Sequence, residues 1–176
     1  MSDRLLPRPV AAFAAAVTKL NRAIFRVAGC AMLLIVPLML YAVFTRYVLD
    51  APSQWAMELA LMIFGPYFLL GGPYLLHTRG HVNMDLVERA ASPRLRWLFQ
   101  IANYPIILVF CVVLMPGAWR FAAEAVAYRE TSFSSWNPPI WPIKLTVPLA
   151  LALMGLQALA EWLCVLFTRA PEVERI

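Results

Sequence analysis

Two histidines, His77 and His81, stand four residues apart, and Asp85, Glu88 and Arg89 follow them closely. On a single helix face that spacing could place two imidazoles on a metal or haem. Thr78-Arg79-Gly80 between them points instead to a turn. No third histidine exists in the chain. A zinc site needs three or four ligands, and a membrane haem needs axial ligands from facing helices. Cys30, Cys111 and Cys164 each lie inside an apolar run without C-x-x-C spacing, as small buried hydrophobes do. Gly71-Gly72 has neither the helix start nor the Lys-Ser/Thr that a phosphate loop requires, and no nucleophile motif is present. No cofactor, no metal and no enzymatic chemistry are therefore expected. The expected role of His81, Asp85 and Arg89 is structural: they close the end of the helix that precedes them, with His81 hydrogen-bonding backbone or Asp85.

Two acids, Glu58 and Glu161, lie in apolar surroundings. A carrier coupled to protons or sodium wants a carboxylate deep among its helices. Both of these fall near the ends of apolar runs. Glu58 reads as a first-turn residue, where the helix dipole favours negative charge. It is expected to make a structural or inter-subunit contact, together with Trp55.

The elements that position these groups follow from composition. Of 176 residues, 62% are apolar and 14% charged, with a mean hydropathy of +0.69. A soluble domain would carry about a quarter charged residues, so the bilayer is the expected solvent. Uncharged runs of about 20 residues are what a helix needs to cross roughly 30 Å of hydrocarbon. Four such runs mark spans at about 27–45, 55–76, 97–119 and 145–168, the second uncharged from Leu59 after Glu58 and the last interrupted only by Glu161. Trp55, Trp97, Trp119, Trp141 and Trp162 sit near span ends, as an interfacial aromatic belt requires. Residues 10–26 are too often interrupted by charge to span. At about 100° per residue, Phe13, Val17, Leu20 and Ile24 form an apolar stripe, with Lys19, Arg22 and Arg26 on the far side. That describes an amphipathic helix lying on the membrane surface, its basic face toward anionic headgroups. The expected fold class is all-α integral membrane: one domain over 1–176, with four transmembrane helices plus an N-terminal amphipathic arm.

Net charge is +5 with pI about 9.4. Basicity alone could mean nucleic acid, but position decides for a basic cytoplasmic side. One side collects five basic residues from the N-terminal segment, four from the second connection (Arg79, Arg89, Arg94, Arg96) and two from the tail. The other side holds Arg46, Arg120, Arg129 and Lys144. Eleven against four places both termini and His77–Arg96 on the cytoplasmic side of the membrane.

In the second span Gly65-Pro66-Tyr67 recurs seven residues on as Gly72-Pro73-Tyr74. Gly65 and Gly72 share a face on which another helix can approach closely. The third connection, of about 25 residues, ends in SSWNPPIWPIK, with three prolines and two tryptophans in eleven residues. That element cannot be a regular helix or strand throughout. Trp136, Pro139, Trp141 and Lys144 make it a candidate docking surface on the outer side.

The pattern Arg46 … Trp55-x-x-Glu58 … Gly71 … His81-Val82-x-x-Asp85, with Trp141-Pro142-Ile143-Lys144 and Pro148 entering the last span, resembles a known family. It is similar to the small membrane subunit (Q-type, DctQ-like) of the tripartite ATP-independent periplasmic (TRAP) transporters, over about residues 20–168. The proline-rich element looks most like the subgroup acting on mannitol/chloroaromatic compounds or on monocarboxylates and 2-oxo acids. Pro66, Pro73 and Ser134-Ser135-Trp136-Asn137 depart from the family pattern. The resemblance implies a subunit that braces a large multi-span carrier subunit and helps receive a substrate-loaded periplasmic binding protein. It implies sodium-driven uptake, with substrate and ion sites in the large subunit. Expected partners are therefore that subunit, the binding protein and the lipid bilayer, and not nucleic acid. Two other functions remain open on the residues alone: a membrane anchor of a redox enzyme, and a self-sufficient small homo-oligomeric carrier.

Overall fold

The computed structural model describes residues 7–78 and 93–167, with side chains from Trp97 onward in the second stretch. His81, Asp85 and Arg89 lie outside the described residues. Among the described residues six helices follow in order: α1 (Arg8–Met32), α2 (Ile35–Tyr47), α3 (Gln54–His77), α4 (Pro93–Ala127), α5 (Trp141–Lys144) and α6 (Thr146–Phe167). Four segments are long and apolar enough to cross a membrane: Arg8–Tyr47, Gln54–His77, Trp97–Ala127 and Trp141–Phe167. The chain is thus an all-α protein with four membrane-length segments.

Proline sets two of the helix breaks. Pro37 has no N–H to offer Leu33 and its ring crowds that carbonyl, four residues back. The helix that begins at Arg8 accordingly stops at Met32, and Leu33 and Leu34 turn tightly, bonding back to Cys30 and Ala31. The arm therefore runs six residues beyond Arg26, because nothing in Val27-Ala28-Gly29 interrupts it. Pro148 acts in the same way on Lys144: α5 ends there, Leu145 turns, and α6 starts at Thr146. The Thr146 hydroxyl donates to the Ile143 carbonyl at 2.6 Å across this break.

Two other helices exceed their expected bounds. α3 begins at Gln54, which makes Glu58 its fifth residue rather than a member of the first turn. α4 has 35 residues and continues past Trp119 through Arg120 to Ala127. At about 1.5 Å per residue this adds roughly 12 Å beyond Trp119. The connection to α5 shrinks correspondingly to residues 128–140.

The last helix is the centre of the bundle, packed against α4, α3 and α1, while α2 rests mainly on α3. In lipid no hydrophobic force draws helices together, so close approach through small residues does the holding. Ala150, Ala158 and Ala160 of α6 are buried, and Cys111 Cβ of α4 would lie 3.6 Å from a Cβ on Gly155. Leu76, Tyr104, Ala158 and Val165 form a core cluster joining α3, α4 and α6. On α3, a Cβ on Gly71 would meet the Phe25 ring at 3.6 Å, and one on Gly72 would meet Met154 Cε at 3.0 Å. Adjacent glycines thus admit α1 on one side and α6 on the other. Gly65 has nothing within 4 Å of its would-be Cβ.

Candidate assembly sites at the two ends of the bundle

At one end, residues 128–140 fold over the start of α3. Thr131 and Pro139 pair as an isolated antiparallel bridge. The Ser132 N–H donates to Pro138 O at 3.1 Å, and the Ile140 N–H to Glu130 O at 3.0 Å. Ser134 ties the loop to the bundle, its hydroxyl donating to Glu58 Oε2 at 2.6 Å. Beside that bond Trp136 lies 6.3 Å from Trp55 between ring centroids, and Trp55 lies 5.5 Å from Tyr41 of α2. Glu58 and Trp55, paired by sequence spacing, are thus brought together with a loop more than 70 residues away. Lys144 bonds Glu130 at 2.5 Å and sits 4.3 Å over the Phe121 ring. Of the four docking candidates, Trp136 and Pro139 are exposed, whereas Trp141 and Lys144 are half-buried.

The loop holds three non-glycine residues with positive φ: Arg129 at 47°, Phe133 at 55° and Asn137 at 50°. Asparagine tolerates this region; for arginine or phenylalanine it costs roughly 1–2 kcal/mol. Arg129 occupies the position where helices usually end on glycine. The Glu130 N–H bonds Ala125 O at 2.9 Å and the Arg129 N–H bonds Val126 O at 3.1 Å, the paired bonds of a Schellman ending for α4.

At the other end a partly buried polar chain crosses three helices. His77, the last residue of α3, places Nδ1 2.5 Å from Glu161 Oε1. The same oxygen accepts from Gln157 Nε2 at 2.9 Å. Gln157 Nε2 also reaches Thr18 Oγ1 at 3.2 Å, and its Oε1 accepts from Asn21 Nδ2 at 2.8 Å. A carboxylate only accepts, so Gln157 must turn its NH2 toward Glu161 and its oxygen toward Asn21. Asn21 must then present its own NH2, which leaves its buried Oδ1 without a partner. Asn21 and Gln157 are 1% and 0% exposed. Single-residue reasoning singled out neither. The available signal was Gln157 itself, an uncharged polar residue in an apolar run, one turn before Glu161.

α1 presents three sectors. Val17 and Asn21 are buried, and Phe25 stacks toward the bundle, 5.0 Å from Tyr74 and 6.4 Å from Tyr67. Lys19, Arg22 and Arg26 are exposed, with Arg22 5.9 Å from the Tyr74 ring centroid. Leu20 and Val27 are exposed as a separate apolar strip. The face turned to α3 and α6 is therefore rotated from the apolar stripe, sharing Val17 with it and leaving Leu20 uncovered.

Membrane-length helices closed by side-chain ties at each end define a multi-pass helical membrane protein. The chain belongs to the DctQ component family of the tripartite ATP-independent periplasmic transporters, whose family model matches residues 35–168. Members are small permease subunits, transporter components rather than enzymes. The chain is 27% identical over 79 residues to the C4-dicarboxylate TRAP transporter small permease protein DctQ of Vibrio cholerae serotype O1. That stretch takes in 45% of this chain and 34% of the relative, so only about a third of the relative's length is matched. No solved structure matches the chain significantly. The family match starts at Ile35, the first residue of α2, so α1 lies outside it.

Proposed function

We propose that this chain is the non-transporting brace of a sodium-driven uptake system for organic acids. It holds a large carrier subunit in the inner membrane and helps a periplasmic binding protein to dock. The observation that carries this reading is that Glu58 and Glu161, the two acids set in apolar surroundings near span ends, are held by side chains of this chain. Glu58 takes the Ser134 hydroxyl, and Glu161 takes His77 and Gln157. A coupling carboxylate must exchange its ligands as it works; one held by hydrogen bonds from fixed side chains of its own chain fixes geometry instead.

Alternating access needs one element to stay still while another moves. α6, packed on three helices and bonded to α1 and α3, suits the still part. The basic-residue excess supports an orientation with both termini in the cytoplasm, the 128–140 loop in the periplasm and the His77 end inside. Exposed Trp136 and Pro139 then face the binding protein. The basic strip Lys19, Arg22 and Arg26 lies at the cytoplasmic surface, where anionic headgroups are available.

The test is reconstitution into liposomes. The purified chain alone should give no sodium-dependent uptake, and uptake should require the large subunit and the binding protein. Uptake by the chain alone would overturn the proposal.

A further inference from the structure

A proline inside a helix withholds an N–H from the carbonyl four residues back. Among the described residues four prolines stand inside unbroken helices: Pro66 and Pro73 in α3, Pro105 and Pro116 in α4. The carbonyls that lose their helical donor are those of Met62, Leu69, Ile101 and Val112. Pro73 is buried, and Pro66 and Pro105 are half-buried, so neighbouring helices flank them. Pro116 differs. It is exposed, and Val112, one turn before it, is 69% exposed. Val109 and Val113 continue the same outward face and are exposed too. The Val112 carbonyl therefore opens onto the outside of the bundle.

Its depth decides what can satisfy it. The uncharged run of α4 lies between Arg96 and Arg120, and Val112 stands eight residues before Arg120. At about 1.5 Å per residue that is roughly 12 Å inside the end of the run. Hydrocarbon fills this depth, and lipid tails have no donor to give. Prolines persist in membrane helices where side chains of adjoining helices satisfy the freed carbonyl. What covers this face must therefore bring a hydrogen-bond donor. A hydroxyl or carboxamide on a second membrane helix meets that need, whereas a charged donor is costly so far from the interface. A second copy of this chain does not meet it through the same face. Residues 109–116, VFCVVLMP, hold no hydroxyl or amide side chain, so a two-fold pairing would set acceptor against acceptor. The valines add a surface that loses little rotamer freedom when another helix packs on it.

We propose that the 109–116 face of α4 seats a transmembrane helix of the large carrier subunit, which hydrogen-bonds the Val112 carbonyl through a hydroxyl or carboxamide side chain. That the partner is the large subunit rests on the function inferred above.

The experiment follows energy transfer between labelled chain and labelled large subunit as both are diluted in liposomes. Pro116→Ala returns an N–H to the Val112 carbonyl. It should raise the thermal midpoint of the chain alone while weakening association about three- to eighteen-fold, the span of hydrogen bonds between membrane helices. Stability gained with association lost separates the seat from simple misfolding. Val112→Trp keeps Pro116, fills the approach and should weaken association at least as much. A photo-crosslinking amino acid at position 112 should join the chain to the large subunit. Weakening below threefold in Pro116→Ala overturns the proposed bond, and a lower midpoint of that variant shows the carbonyl already satisfied within the chain and does the same. Crosslinks only to lipid, or only to a second copy, overturn the seat and leave the bracing function standing. Absence of association by the wild-type pair overturns both.

Discussion

Asn21 and Gln157 are 136 residues apart in the chain, and their amides meet at 2.8 Å with both side chains buried. This bond joins a helix outside the family-matched region to the helix at the centre of the bundle. Asn21→Ala would leave Gln157 Oε1 buried and unpaired, at a cost of about 1–3 kcal/mol. A double-mutant cycle with Gln157→Ala should return a coupling of about 0.6 kcal/mol and at most about 1.7, the range for hydrogen bonds between membrane helices. Equilibrium unfolding in detergent measures both. Tryptic cleavage at Lys19 and Arg22 should also accelerate in Asn21→Ala as α1 loosens. Unchanged stability and cleavage would show that α1 is held by other contacts.

The two glycines of the α3 repeat should separate on substitution. Gly72→Val would force side-chain bulk into Met154, whose Cε already sits 3.0 Å from a Cβ position. It is expected to disrupt α3–α6 packing by about 1–3 kcal/mol. Gly72→Ala should cost much less, because the obstructing atom ends a flexible methionine. Gly65→Ala meets nothing within 4 Å and should be neutral or stabilising by up to about 1 kcal/mol. Thermal midpoints in detergent distinguish the three.

Arg129 holds a left-handed conformation at the Schellman end of α4. Arg129→Gly should stabilise by about 1 kcal/mol through relief of that strain. Arg129→Val should destabilise by at least as much, since a β-branched residue is the poorest choice there. A thermal melt of both variants checks the signs, and stabilisation by valine would rule out the left-handed ending.

Ser134→Ala removes the donor to Glu58 without emptying a core. Its effect on global stability should stay below about 0.5 kcal/mol, as for other solvent-exposed polar contacts. Its local effect should be large. Amide hydrogen exchange over residues 131–137 should speed up while the α4 and α6 amides are unaffected. Equal exchange in wild type and variant would mean that the loop is held by its backbone pairing alone.

The four spans were legible because lipid imposes length and apolarity on each helix separately; tryptophan was a looser guide, since Trp55 and Trp141 stand at helix starts but Trp119 lies eight residues before the end of α4. The breaks after Met32 and Lys144 were not legible: Pro37 and Pro148 stand four residues beyond Leu33 and Lys144, but Pro66, Pro73, Pro105 and Pro116 lie inside unbroken helices, so proline alone does not announce a break. Charge alone had put the first boundary at Arg26, where the helix does not break. The overhang of α4 was hidden because Arg120 ends the uncharged run, although Phe121–Ala127 is alanine-rich and continues the helix. The ties themselves were not legible. Glu58–Ser134 and Asn21–Gln157 join residues distant in sequence, and no single-helix period reports which polar side chains will face each other. Trp55 and Glu58 could be marked as an assembly pair; the serine and the tryptophan that meet them could not.

The most direct measurement is sodium-dependent uptake by the full reconstituted complex carrying Glu58→Gln or Glu161→Gln. If these acids serve assembly, each variant lowers the yield of co-purified complex. What does assemble should then show the wild-type half-saturating sodium concentration and the same steepness of response. Wild-type yield of complex with a shifted or flattened sodium dependence would instead place ion coupling in this chain and contradict its role as a brace.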